Sequence, residues 1–365
     1  VTLPSLDARA LVPMLGGASS TVTTADSLWP EGPIDIGQGA RTTTGRIDVK
    51  VADVTGSGGT LLKDASFGFD WDAQNIHLRN LNGQIGGGQL SLDATVCCSN
   101  AALPAKQLSG RLALSGVALD AVAPPAIGAS LDGTVTASAE FNGTGETLAQ
   151  AMAAMTGTGS YTVSNFAAAR LDPRVFDTVS GLTGVVDMTP EALTKTVTEA
   201  LGSGSFVAPS LTGSFTIANG VLRSPNLAIA STDARIFGGA NMTLKDLILD
   251  AHYALSPSNA RDDPASAIDP MTAEIDMAVK GPLWAPAASY DVASLIEGMK
   301  IKASEIELAR LEQLKAEADA RAKAAVERDA RLTVLRDGQP VAQGGAATMI
   351  ATEEAARKAA ADLAA

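Results

Sequence analysis

The sequence predicts a mainly β protein with minor α content: an elongated, curved antiparallel sheet forming an open apolar groove, with short inserted helices and a long C-terminal helix. Three observations predict it. In the stretch Phe215–Leu255, four runs keep apolar residues on one parity and small or polar residues on the other. That is the period-2 mark of a sheet with one apolar face. Breaks at Asn219-Gly220, at Ser231–Arg235 with Gly238-Gly239, and at Lys245-Asp246 separate the runs. The composition (46% hydrophobic, 18% charged, 4% aromatic, 35 glycines) suits many short strands with tight turns rather than a charged, disordered chain. After Ser294 the pattern changes to an Ala/Glu/Lys/Arg-rich helical period. At 365 residues the chain has room for two average domains or one extended β structure.

Residues 1–45 show little periodicity and read as an irregular entry segment, with Leu28–Ile36 as its docked part. The sheet domain is expected over 46–292. Ile47, Val49 and Val51 share a face, as do Phe67, Phe69 and Trp71, then Leu90, Leu92, Ala94 and Val96, then Leu112 and Leu114. Val135, Ala137, Ala139 and Phe141 continue the series. Helices are expected near 146–155, 172–182 and 190–201, the second with Pro173 at its first position and the third capped by Thr189 and stopped by Gly202. Residues 256–270 read as a loop. A charged amphipathic helix follows over 293–336, with a loose seam of Ile301, Leu308, Leu311, Ala318, Ala322, Ala325 and Leu332. Residues 337–365 read as a flexible Ala-rich tail.

The net charge is −13, and residues 1–299, with 16 Lys and Arg against 29 Asp and Glu, carry all of it. An acidic body repels phosphate backbones and anionic headgroups, so neither nucleic acid nor electrostatic adhesion to a membrane is expected. No apolar run reaches transmembrane length. The N-terminal stretch lacks the pattern of a signal peptide, as a mature exported protein or a fragment would. Cys97 and Cys98 are adjacent, their Cα atoms ~3.8 Å apart, below the usual ~4.4–6.8 Å of a disulfide. Two unremarkable thiols fit better than a strained vicinal bridge.

Catalytic chemistry finds no support. There is no G-x-S-x-G elbow, and the two histidines, His77 and His252, fall in separate strands where each reads as a solvent-face residue. Adjacent thiols and isolated histidines do not make a zinc site. The glycine clusters at Gly56–Gly59 and Gly86–Gly88 match no phosphate-binding loop. Asp70 and Asp72 begin like a calcium loop, but Asn75 and Leu81 stand where glycine and a bidentate Glu are needed, so both read as turn carboxylates. The Asp262-Asp263 pair reads as a solvated turn. No catalytic residue, metal or cofactor is expected.

Three stretches resemble the C-terminal region of AsmA-family proteins: LDGTVTASAEFNGTGETLAQAMAAMTGTGSYTVSNFAAARLD; the pair SLTGSFTIANGVLRSPNLAIAS and GGANMTLKDLILDAHYAL; and, more weakly, WPEGPIDI with HLRNLNGQIGGGQLSLDATV. The likeness covers roughly residues 29–292. It implies an inner-membrane protein with one N-terminal transmembrane helix and a large periplasmic portion of a Gram-negative bacterium. That portion would be a curved sheet with an apolar concave face, associated with outer-membrane biogenesis and bridge-like lipid transfer. The chain departs from the family in lacking the transmembrane helix and most upstream strands, as a C-terminal fragment would.

The expected partner is thus phospholipid, its acyl chains held along Phe67, Phe69, Trp71, Phe141, Phe215, Ile217, Leu227, Ile229, Leu247, Leu249 and Tyr253. Each buried CH2 contributes ~0.8 kcal/mol without any polar contact. The same residues would also fill an ordinary sandwich core or pack under the three short helices, and both placements stay open here. A structural or regulatory role in outer-membrane protein assembly is the alternative, with envelope proteins docking on the C-terminal helix. A glycan-binding solenoid would want aromatic platforms, and the chain has 3 Trp and 3 Tyr.

Overall fold

A computed structural model describes residues 1–8, 29, 31–34, 43–56, 59–97, 105–123, 125–258 and 266–337. Residues 1–304 and 305–365 form two separate compact units. The first is mainly β: one long, curved, open sheet of 14 strands in strictly sequential order.

The strands are β1 (Thr2–Asp7), β2 (Gly45–Gly56), β3 (Gly59–Trp71), β4 (Asn75–Ile85), β5 (Gly88–Cys97), β6 (Lys106–Ala118) and β7 (Leu131–Gly145). They continue as β8 (Thr156–Ala169), β9 (Ser205–Ala218), β10 (Val221–Ala230), β11 (Ala234–Thr243), β12 (Ile248–Pro257), β13 (Ile275–Pro282) and β14 (Ala287–Asp291). Every neighbouring pair is antiparallel except β1–β2, which is parallel. The expected irregular entry segment therefore contains an edge strand, whose TLPSLD sequence is too short to show a period. Trp29 donates from Nε1 to the Leu244 carbonyl at 2.8 Å, and Ile34 N donates to the Glu146 carbonyl at 2.7 Å, which docks these two residues on the sheet unit.

Alternation of apolar and polar residues gives the sheet two unlike faces. The polar face carries Asp93, Arg111, Glu140 and Thr158, with an Arg111–Glu140 ion pair at 3.0 Å. Left-handed backbone at Asp64, Asn80 and Asn165, and at Gly116 and Gly133, falls inside strands rather than in turns. Register shifts accompany those in β3, β4, β6 and β7. Bulges of this kind bend a strand and tighten its twist, so they supply local curvature across much of the sheet.

Among the described residues five α-helices lie between strands of the sheet and a sixth follows the last strand. α1 (Leu119–Val122) and α2 (Pro125–Gly128) are single turns that carry no hydrophobic period and were not expected. α3 (Leu148–Ala153) is capped by Thr147, whose Oγ1 accepts from Gln150 N at 3.1 Å. α4 (Val175–Ser180) starts later than Pro173 predicts, because the Asp172 carboxylate bonds Arg174 instead of opening a helix. α5 (Pro190–Leu201) follows its expected bounds: Thr189 caps it, Pro190 occupies the first turn, and Leu193, Val197 and Leu201 bury one stripe to 1% exposure or less. α6 (Ala293–Asp337) begins in the first unit, where Leu295, Ile296 and Met299 are buried; from Glu307 to Leu332 every residue is exposed. No helix among the described residues is long and apolar enough to cross a membrane.

Several expectations need correction. Gly238-Gly239 lie inside β11 rather than at a break, and Leu247 sits in the turn before β12 with φ +47°. Cys97 is disulfide-bonded rather than a free thiol. Cys98, Asp262, Asp263 and the 338–365 tail lie outside the described residues.

Candidate functional site

All the predicted groove residues except Leu247 lie in strands on the apolar face, but they do not form one open lining. Phe67 is 4% exposed among Val49, Leu78 and Leu81, with Leu3, Leu6 and Ala8 packed at the edge of that cluster. Phe69 and Trp71, rings 6.1 Å apart, pack on Ile34, Ile76 and Val96. Phe141, Phe215 and Ile217 gather with Met155, Leu244 and Met152 of α3. Ile229 is buried, and Leu227 and Tyr253 are half-buried, against a large cluster built with α4, α5 and the first turns of α6. Leu249 is half-buried beside Met242 and Gly281.

These clusters occupy opposite ends of the strands. The α4–α5–α6 cluster covers the start of β7, the end of β8 and the start of β9; the α3 cluster covers the end of β7, the start of β8 and the end of β9. Between them runs a strip of half-exposed apolar side chains held in register. One row is Leu92, Leu112, Ala139, Gly159 and Phe215; the next is Leu90, Leu114, Ala137, Tyr161 and Gly213. Across β10, Ser224 stands in register with Ala240, the buried Ala251 and Val279, while Leu222, paired with Ile217, stands in register with Met242, Leu249 and Gly281. From β5 to β13 the strip crosses eight interstrand spacings, about 38 Å.

Glycines shape its floor. Gly45 opposes Trp71, Gly110 opposes Phe141, Gly159 opposes Phe215, Gly213 opposes Tyr161, and Gly238 opposes Tyr253. In each pair a Cβ on the glycine would fall within 2.0–2.7 Å of an atom of the aromatic ring. The rings therefore lie down across the neighbouring strand, where a side chain on the opposing residue would make them stand up into the strip. The Gly159/Phe215 and Gly213/Tyr161 pairs come from two Gly-Ser-aromatic triplets, Gly159–Tyr161 and Gly213–Phe215, that pair antiparallel about Ser160 and Ser214. Sequence reasoning passed over Tyr161 and these glycines. The repeated triplet was the signal that could have found them.

Three hydroxyl side chains, Tyr161, Ser224 and Tyr253, break the apolar floor. Tyr161 Oη lies 3.0 Å from Ser224 Oγ, which itself donates to the Ser214 carbonyl at 3.2 Å. Burial pushes the Tyr253 phenol up to about 12, with Tyr161 adding to the effect. The histidines lie on the polar face: His77 Nδ1 is 2.9 Å from Thr95 Oγ1, and His252 Nε2 is 3.0 Å from Asp250. Asp72 accepts from Gln74 N and Asn75 N at 2.7 Å each, and Asp70 pairs with Arg46 and Arg79. Among the described residues no three His, Cys, Asp or Glu side chains gather as a metal-holding group.

The fold and the strip define an open-sheet β protein whose apolar face is covered at both strand ends and half-exposed between them. No family model matches the chain, and neither does any curated protein or solved structure.

Proposed function

We propose that this chain is a non-catalytic lipid-holding protein, with phospholipid acyl chains lying along the half-exposed strip between β5 and β13. The observation that carries the proposal is the registered strip itself, a largely apolar surface interrupted at Ser224, walled by helices and left partly in solvent. A surface of that kind costs free energy in water and gains ~0.8 kcal/mol for every lipid CH2 it shields. Flattened aromatic rings keep it low enough for a chain to lie on. The motif likeness to AsmA proteins favours a periplasmic setting, tethered to the inner membrane, with lipid passing between inner and outer membranes.

Native mass spectrometry of the full chain, purified from membranes by mild extraction, tests this. Copurifying phospholipid should be present and should be lost in Phe215→Asp and Leu249→Asp variants whose circular dichroism is unchanged. Lipid-free protein in repeated preparations, or variants that keep their lipid, would sink the proposal.

A second reading places the protein among assembly factors that act through partners. Leu308, Leu311 and Leu314 of α6, each more than half exposed, favour it. Deleting residues 305–365 should then abolish capture of an envelope partner while lipid retention persists; unchanged capture removes this reading.

A further inference from the structure

Two tyrosines flank β10 on the strip: Tyr161 reaches Ser224, and Tyr253 lies close enough to Tyr161 to interact with it. Tyr161, on β8, lies across Gly213 of β9, where a Cβ would sit 2.4 Å from its Cζ and Oη. Its hydroxyl reaches Ser224 Oγ at 3.0 Å. Tyr253, on β12, leans over Gly238 of β11, where a Cβ would sit 2.7 Å from its Cδ1. Both rings are half-buried on the strip, and Ser224 is 8% exposed.

The protons of this cluster can be assigned. Ser224 gives its one proton to the Ser214 carbonyl, so in the Tyr161–Ser224 contact the phenol is the donor. Tyr253 makes no hydrogen bond to any described residue, which leaves its O–H as the one uncommitted donor. Among the described residues neither an ion pair nor a hydrogen bond joins a Lys or Arg to Tyr253, and burial and Tyr161 alone raise its phenol. A free donor set in an apolar floor, and joined to no described Lys or Arg, suits an uncharged acceptor. A lone phenol does little for an anionic group that loses its water there.

We infer that the Tyr161–Ser224–Tyr253 cluster is a recognition point for a neutral carbonyl, the ester linkage of an acyl glycerolipid, with Tyr253 as donor. The inference rests on the lipid-holding function proposed above and adds what the strip selects: ester-linked lipid, gripped at its glycerol end, with the phosphate left toward solvent.

The experiment incubates the full chain with vesicles of a diacyl phosphatidylcholine or of its dialkyl ether counterpart, with the same chains and headgroup but no carbonyl. Bound lipid is counted by native mass spectrometry. One neutral hydrogen bond corresponds to roughly a threefold to tenfold preference for the ester lipid. Tyr253→Phe keeps the ring over Gly238 and should erase that preference, bringing ester-lipid loading down to that of the ether lipid. Equal loading of both lipids by the unaltered protein overturns the inference while the strip proposal stands, and so does a Tyr253→Phe variant that loses both equally. Retention of neither lipid overturns the strip proposal and this inference together.

Discussion

Replacing Gly213 by Ala tests whether the flattened aromatic rings are held down by the glycines opposite them. The added Cβ would lie 2.4 Å from Tyr161 Cζ and Oη and 2.9 Å from Cε1, so the three nearest atoms all belong to one side chain. Gly213 has no left-handed backbone, so Ala fits its conformation. The ring must lift. Lifting costs about 0.5–1.5 kcal/mol of rotamer strain and about 0.5–1.5 kcal/mol for the hydrogen bond to Ser224. Loss of glycine's freedom in the unfolded chain returns about 0.4–1 kcal/mol. The single variant should therefore lose about 1 kcal/mol. In a Tyr161→Ala background nothing obstructs the methyl, and the same change should gain about 0.4–1 kcal/mol. Urea unfolding of the four proteins, compared at equal m-value, gives the coupling directly. It should be about 1.5 kcal/mol. Additivity within about 0.5 kcal/mol would show that the ring does not depend on the glycine.

Three further outcomes follow from the structure. Hydrogen bonds from Arg174 hold the Asp172 carboxyl below the usual carboxylate range, with Ser203 Oγ also donating to it. A depressed carboxylate stabilises the fold above its unfolded pKa of ~3.9 and loses that contribution as pH falls through the folded value. Asp172→Asn should thus cost about 1–3 kcal/mol near pH 7, and the gap should close in urea titrations carried below about pH 4; a gap constant with pH would refute the sign. The Tyr253 phenol, raised to about 12, should appear as one late step in a spectrophotometric titration and vanish in Tyr253→Phe. Since the folded state holds that proton more tightly, stability should be flat below ~10, the ordinary phenol value, and fall between there and about 12. Gly220→Ala meets both a φ of +69° and the carbonyl oxygens of Met152 and Ala153 at 2.6 Å. It should cost about 1–3 kcal/mol in thermal or urea unfolding, and a loss under ~0.5 kcal/mol would show that the β9–β10 turn readily relaxes away from α3.

Alternation carried most of the fold in the sequence, because one buried face imposes a period of two on every strand that shares it. Asn219-Gly220 could be read as a hairpin for a local reason: both residues take left-handed backbone, which few others accept. The same local reasoning failed at Gly238-Gly239. A glycine under an aromatic ring looks in sequence like a glycine in a turn, and only the register of Gly238 with Tyr253 tells them apart. Leu247 kept the right parity but fell one residue outside its strand. For the site, parity placed Phe215, Ile229 and Tyr253 on one face without showing which of them α3, α4 and α5 would cover. Coverage depends on contacts between elements distant in the chain. Val179 and Ile229, both in the α4–α5–α6 cluster, are fifty positions apart and carry no mark of each other.

The strictly sequential strand order makes the strip a modular object. Each strand hydrogen-bonds only to the strands before and after it, so no pairing spans the sheet and closes it. A hairpin could be added or removed at a turn without rethreading the rest. Each would change the strip by two strand spacings, about 9.6 Å. The number of repeated hairpins would then set the distance over which a greasy molecule is shielded, leaving local features such as the Tyr161–Ser224–Tyr253 hydroxyls to set where along that distance it pauses.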